Sequence, residues 1–336
     1  MPRKLAFICS TLLLGLTLGL GASGAVGAEK LDMPVHVRFA TARPGITWYS
    51  YAGVLRPHML KVLPAGSDVT IMNTALAIAN AKLLMTHRAD IGFSYPPVVE
   101  WAEKGFGPFS APAHDLRGLV GSLDQYYQRI TLQKNSPINS LAEIKAKHLA
   151  VHIGTNTPGS LNEYMTQLIL KAYGLTYDDI KQYGGSVTEA GLPVLSNLFG
   201  QGRIDMIIGI TTAGHPNTAQ LASAPGEKFL GLDEHAIHFL AGYGFAPATM
   251  PANLFPGQPQ PIKGVGFRSA IYVDASMSNA EAYLLTKAIM ESRPQLQKSF
   301  ERMSVWTPEA SVAPQNLRAP LHPGAQEYFK EIGVLH

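Results

Sequence analysis

Between residues 35 and 95 short apolar runs alternate with longer amphipathic ones, and that rhythm leaves few folds open. Val35, Val37 and Phe39 read as a strand. A Pro44-Gly45 turn follows. From Thr47 onward Tyr51, Val54, Leu55, Met59 and Val62 recur at the three-and-four spacing of one helix face. Residues 69–72 are strand-like again, 74–87 helical with Asn73 or Thr74 placed to cap the helix, and 90–94 strand-like up to Tyr95-Pro96-Pro97. Strand, helix, strand, helix, strand demands a parallel sheet with helical crossovers. Ligands of such sheets sit beyond the carboxyl ends of the strands, here where Thr41, Arg43, Asn73, Thr74 and Tyr95 gather. Pro57 falls inside the first helix pattern and predicts a kink there, at a cost of about 3 kcal/mol.

The rhythm pauses and restarts. Residues 116–123 and 128–132 look like strands leaving the first unit. Residues 149–153 then read as a strand, 155–159 as a turn and 160–173 as a helix that Gly174 ends. A helix at 192–199, a strand at 204–210, a helix at 233–241 and a Pro-rich loop at 247–261 follow. The final third holds a strand at 266–273, a helix opened by the Ser278-Asn279-Ala280-Glu281 capping box and running to Glu291, and a short helix at 323–332. Two βα units joined by strand-like segments near 116–132 and 262–273 predict two lobes with at least two crossings and a cleft that closes by a hinge.

The first residues read as a targeting signal. Arg3 and Lys4 precede an apolar stretch at 5–20 and a small-residue cleavage site at Val26-Gly27-Ala28. Cutting there removes two of the three net positive charges, leaving 3 − 2 = +1, too little and too evenly spread for nucleic acid. The single cysteine, Cys9, lies in the apolar stretch after Ile8, where a lipoprotein signal wants a small residue, so lipidation is rejected. The mature chain then has no cysteine, which excludes disulfides, thiol catalysis and cysteine–zinc sites. No later stretch is long and apolar enough to span a bilayer. An exported, periplasmic protein is expected.

Several short motifs add a resemblance. They are Thr41-Ala42-Arg43-Pro44-Gly45 with Trp48-Tyr49 and Gly53; Arg88-Ala89-Asp90-Ile91-Gly92-Phe93; Leu116-Arg117-Gly118-Leu119; and Thr157-Pro158-Gly159-Ser160. Gly202-Arg203-Ile204-Asp205, Gly214-His215-Pro216 and Pro320-Leu321-His322-Pro323-Gly324-Ala325 complete the set. Their order resembles the TAXI family of substrate-binding proteins, the extracytoplasmic receptors of TRAP-type transporters, across nearly the whole mature chain. The resemblance implies a two-lobed α/β fold of the type II periplasmic-binding-protein kind, with mixed sheets flanked by helices and a hinge. Residues 29–122 and 264–336 would form lobe I and 123–263 lobe II, after a signal peptide at 1–28. It also implies a monomeric receptor without cofactor or catalysis, handing a small carboxylate-bearing solute to a membrane permease. An enzyme on a similar scaffold and a receptor serving a membrane sensor stand as alternatives.

This chain departs from the family pattern at three places. Members carry Gly-Gly-Ser where Thr74-Ala75-Leu76 stands, Gly-Ser-Gly-Thr where Gly159-Ser160-Leu161-Asn162 stands, and a second glycine where Ile46 follows Gly45. Each change puts an apolar side chain where backbone was bare, so a greasier pocket is expected.

Arg43, beside the Pro44-Gly45 turn and a helix start, is the candidate anion clamp, because guanidinium grips carboxylate with two parallel hydrogen bonds. Its ordinary alternative is a solvated loop arginine. Arg38 and Arg129 lie on strand-like runs, where pairing or exposure is commoner. Trp48, Tyr49 and Tyr95 are candidate walls, with Thr41, Asn73, Thr74, Ala75 and Asn80 as further contacts; aromatics at such spacing are also ordinary core, and Asn73 or Thr74 also serves as a cap. Thr157, Gly159 and Ser160 are the matching contacts from the second lobe, with an N-cap as the plain role of Ser160. Leu76 and Leu161 would enclose an apolar ligand body. His235 and His238 share a helix face but lack a third metal ligand nearby. No Gly-x-Ser-x-Gly and no complete dinucleotide fingerprint occurs.

Overall fold

A computed structural model describes residues 31–215, 218–219 and 227–336. The expected signal peptide and Pro216 lie outside the described residues. Strand β1 (His36–Ala40) runs into helix α1 (Thr47–Val62), then β2 (Asp68–Met72), α2 (Ala77–Met85) and β3 (Ile91–Ser94). The three strands are parallel in the order β2-β1-β3, with Val37 opposite Val69 and Phe39 opposite both Ile71 and Ile91. Trp48, Tyr51, Ala52, Leu55 and Met59 form the buried stripe of α1. Pro57 is on its exposed face, and the helix runs on through it to Val62.

The second helix differs from the expectation. It begins at Ala77, and its N-cap is Leu76, with no side-chain hydrogen bond. Neither Asn73 nor Thr74 caps it: the chain stays non-helical for three residues longer, and the Thr74 hydroxyl donates to the Thr41 carbonyl at 2.9 Å.

Helix α3 (Pro96–Lys104) and strand β4 (Leu116–Val120) complete the first pass, and β5 (Gln125–Gln133) opens a second sheet. There α4 (Leu141–Lys147), β6 (His152–Thr155), α5 (Leu161–Ala172), α6 (Tyr177–Gln182), β7 (Ser186–Glu189), α7 (Leu192–Gly200) and β8 (Met206–Thr211) repeat the βα pattern. β6 is parallel to both β7 and β8. β9 (Glu227–Phe229), α8 (Glu234–Ala241), β10 (Ala246–Met250) and β11 (Ile262–Arg268) follow. The Pro-rich loop thus contains a strand; Pro247 is tolerated because β10 is the sheet edge, where a missing N–H leaves no ladder bond unmade. His235 and His238 are both exposed on α8.

The chain returns through Ser269 into β12 (Ala270–Asp274), which lies antiparallel between β3 and β4 in the first sheet. Strand pairing keeps β11 in the second sheet, so the expected division at 264 falls inside a strand. Helix α9 (Asn279–Ser299) is capped by Ser278, whose hydroxyl accepts from the Glu281 N–H, and runs past Glu291 through Pro294. Helices α10 (Pro308–Val312) and α11 (Pro323–Glu331) pack behind the first sheet's end.

The two crossings are tied to each other. The Leu123 N–H donates to the Ser269 carbonyl at 3.0 Å. Fully buried Asp124 accepts the Tyr51 hydroxyl at 2.9 Å, the Ser269 N–H at 3.3 Å and the Ser269 hydroxyl. Burial pushes its carboxyl above the ordinary range, against the opposing hydrogen bonds. Among the described residues no helix is long and apolar enough to cross a membrane.

Candidate functional site

The carboxyl ends of β1, β2 and β3 and those of β6, β7 and β8 open onto one cleft of about 550 Å³. From the first sheet it receives Arg43, Ile46, Thr47, Trp48, residues 74–78 and Tyr95; from the second, Tyr126, Asn156, Thr157, residues 159–162 and 191–193, Ile210, Thr211, Thr212 and His215.

Arg43, Pro44, Gly45 and Ile46 make a type II turn. Proline sits at the second position, Gly45 has φ +86°, and the Ile46 N–H reaches the Arg43 carbonyl at 3.1 Å. The turn delivers the chain straight into α1 with Ile46 as N-cap and no side-chain cap. The Arg43 side chain is exposed in the cleft wall, without an ion pair or hydrogen bond to its guanidinium among the described residues. The start of α2 is equally bare, and so is that of α7, where Gly191 is the N-cap and Pro193 sits in the first turn. Three helix starts of eight or more residues therefore present N–H groups and positive dipole ends to the cleft.

The start of α5 differs. The Ser160 hydroxyl accepts the Glu163 N–H at 3.3 Å, and Glu163 Oε2 accepts the Gly159 N–H at 3.4 Å. The Glu163 N–H is thus already used, and a carboxylate stands behind this helix start.

Aromatic rings make the floor. Trp48 stacks on Phe93 with centroids 5.3 Å apart and tilts against Tyr95 at 4.8 Å, while Tyr95 meets Tyr126 edge-on at 5.2 Å. The buried Trp48 indole N–H is unpaired. His215 lies in the opposite wall. Its Nδ1 accepts the Thr218 N–H at 3.4 Å, which leaves the ring proton of the neutral form on Nε2. Burial, then the Arg129 and Arg302 cations, push its pKa down to about 4, so it is neutral at pH 7. Arg302 comes from beyond α9 and donates to the Thr47 hydroxyl at 3.1 Å.

Residues 39–333, nearly all of this topology, match the NMT1-like family. The chain belongs to that family. Solved structures share its fold. The periplasmic binding protein BugD is 16% identical over 90% of this chain and 98% of its own, with a TM-score of 0.52. MatC (Rpa3494) from Rhodopseudomonas palustris, solved with bound malate, is 14% identical over 90% of this chain and 96% of its own, at 0.51. XAC2383 from Xanthomonas citri, bound to chloride ion, is 12% identical over 89% and 97%, at 0.50. The α/β, two-lobed periplasmic-binding-protein fold expected from the sequence is the fold of this chain.

In this NMT1-like chain ten of the expected contacts line the cleft: Arg43, Trp48, Thr74, Ala75, Leu76, Tyr95, Thr157, Gly159, Ser160 and Leu161. Six do not. Thr41 is fully buried, its hydroxyl given to the Met72 carbonyl at 2.9 Å. Asn80, also fully buried, donates to the carbonyls of Ala40, Thr41 and Phe93 and so clamps the ends of β1 and β3 beneath the cleft. Pro44 and Gly45 build the turn and are exposed, Asn73 is exposed, and Tyr49 sits half-buried outside the lining. Arg38 pairs with Asp90 at 2.7 Å, and Arg129 is buried in β5 outside the lining.

Sequence reasoning missed Tyr126, the 191–193 start of α7 and Ile210 to His215. The signal was there, because the carboxyl-end rule applied to β7 and β8 points at these segments. A larger groove of about 980 Å³ runs along residues 312–321 and the carboxyl-terminal helix, remote from every one of these strand ends. Among the described residues no group of three metal-ligating side chains occurs.

Proposed function

We propose that this protein is an extracytoplasmic solute receptor of the TAXI kind, exported by its first 28 residues, that captures a small organic acid between its lobes. Lobe I would comprise residues up to 122 together with the segment after Ser269, and lobe II the residues between. The observation that carries the reading is Arg43: among the described residues, an unpaired guanidinium beside bare helix starts, in a cleft lining without Asp or Glu. Guanidinium and helix-start N–H groups together form an anion site. Ligand shifts the lobes toward closure only through contacts made preferentially in the closed form. MatC holds malate, an organic acid, on the same fold.

The lining supports binding over turnover. Ser160 serves as a cap, and the hydroxyl nearest His215, that of Thr218, is fully buried, so no activated nucleophile faces the cleft. Delivery to a TRAP-type permease follows from the motif resemblance, and a genome in which no such permease is encoded beside this gene would count against it. Calorimetry of residues 29–336 against aliphatic, branched and aromatic carboxylates tests the receptor reading. Saturable heat with at least one acid is expected; silence across the panel overturns it.

A further inference from the structure

We infer that the ligand is an amine-free monocarboxylate with an apolar body, and that Leu76 selects that body; the inference rests on the receptor reading above. Charge in the cleft comes first. Among the described lining residues Arg43 is the single Lys or Arg, and no Asp or Glu joins it. Residues 216–217 and 220–226, which border the second wall in sequence, contain no acidic residue either. An α-ammonium taken out of water there would have no counter-charge, and buried charges without partners are strongly disfavoured.

A second carboxylate is no better served. His215 is neutral at pH 7 because burial, and then the Arg129 and Arg302 cations, oppose its protonation. At the α5 start the Glu163 N–H is taken by Ser160 with the Glu163 carboxylate behind it, and the bare α7 start loses a donor at Pro193 and has no Lys or Arg beside it among the described lining residues. Among the described lining residues the one cationic side chain is therefore Arg43, and the carboxylate is held on its side.

Leu76 supplies the apolar half. Its backbone sits at φ +71°, ψ −159°, a region that is essentially glycine's own. It is the N-cap of α2, where Ser, Thr, Asp, Asn or Gly is favoured and leucine is among the poorest choices. Its side chain is 37% exposed, so packing returns little for either cost. Two local penalties with no compensation from the folded chain alone indicate a residue kept for what it meets in the cleft. Ile46, 44% exposed in the opposing rim of the first lobe, extends the same greasy surface.

The test compares matched probes by calorimetry on residues 29–336. One series is 4-methylpentanoate, L-leucine and methylsuccinate; the other is 3-phenylpropanoate, L-phenylalanine and phenylsuccinate. In at least one series the monocarboxylate is expected to bind about tenfold or more tighter than both relatives. Amino acid or diacid binding as tightly as the monocarboxylate overturns the inference and leaves the receptor reading standing. No heat with any carboxylate overturns both. Leu76→Gly separates the roles: affinity for the preferred acid falls about tenfold while the thermal midpoint rises as the strain is released. Unchanged affinity, or a lowered midpoint, overturns the assignment of Leu76.

Discussion

The two walls of the cleft are built alike and furnished differently. Each offers three parallel strand ends and the starts of the helices that follow them. On the first side, α1 and α2 begin without side-chain caps, and Arg43 stands free beside them. On the second, Ser160 and Glu163 occupy the start of α5, and the one basic ring in the wall, His215, is kept neutral. Topology alone would make both walls anion sites. The second wall keeps the bare start of α7, but Pro193 removes a donor there and no Lys or Arg stands in that wall among the described lining residues, so on the proposed reading the first wall grips the carboxylate and the second chiefly covers the ligand. Asp124 and Ser269 fasten the strands between them, and on the proposed reading the walls close against that seam.

The largest expected effect tests the grip. Arg43→Ala should weaken binding of the preferred acid by about 2–3 kcal/mol, roughly 30- to 150-fold, the scale of a lost charge-assisted pair. Stability should not change, because the side chain is exposed and unpaired in the free protein. Calorimetry with a parallel urea titration reads both quantities, and wild-type affinity in the variant would remove the asymmetry between the walls.

The next effect lies in the second wall. His215 has a folded pKa of about 4 against an ordinary 6.5, with Arg129 and Arg302 facing it and Thr218 bonded to Nδ1. Between those values the unfolded chain binds the extra proton, so the native state loses stability as pH falls from about 6.5 toward about 4. The loss reaches on the order of 2 kcal/mol once partial solvent access is discounted. Urea midpoints of wild type and His215→Gln across that window should converge as pH falls, with wild type the more sensitive. Parallel curves would mean that the ring is not held neutral, and the second wall would then carry a charge after all.

How much of this was legible in the chain itself follows the same division. The βα rhythm, the turn at Pro44-Gly45, the Arg43 position and the Ser160 cap were readable because each depends on neighbours within a few residues. Leu76 as N-cap was not, since φ +71° at a leucine violates the local preference that sequence reasoning relies on. Asn80 and Thr41 looked like ligand contacts for a good reason: they lie at strand and helix ends beside the cleft. Their donor groups are consumed by the carbonyls of Ala40, Thr41, Met72 and Phe93, a long-range pairing that spacing cannot reveal. His215 was hidden likewise, because its neutrality comes from tertiary burial and then from Arg129 and Arg302, far away in sequence.

The smallest effect is also the sharpest check on the contrast. Ser160→Ala removes the hydroxyl that accepts the Glu163 N–H, and a lost N-cap costs about 1 kcal/mol of stability. If the second wall only covers, affinity for the acid should move by less than roughly twofold, since the donor that Ser160 satisfies is turned to its own helix. Thermal denaturation and calorimetry on the same preparation separate the outcomes. A stability loss with intact binding leaves the first wall as the sole grip. A tenfold loss of affinity with unchanged stability would mean that the Ser160 hydroxyl turns to the ligand when the cleft closes, and the two walls would hold the carboxylate together.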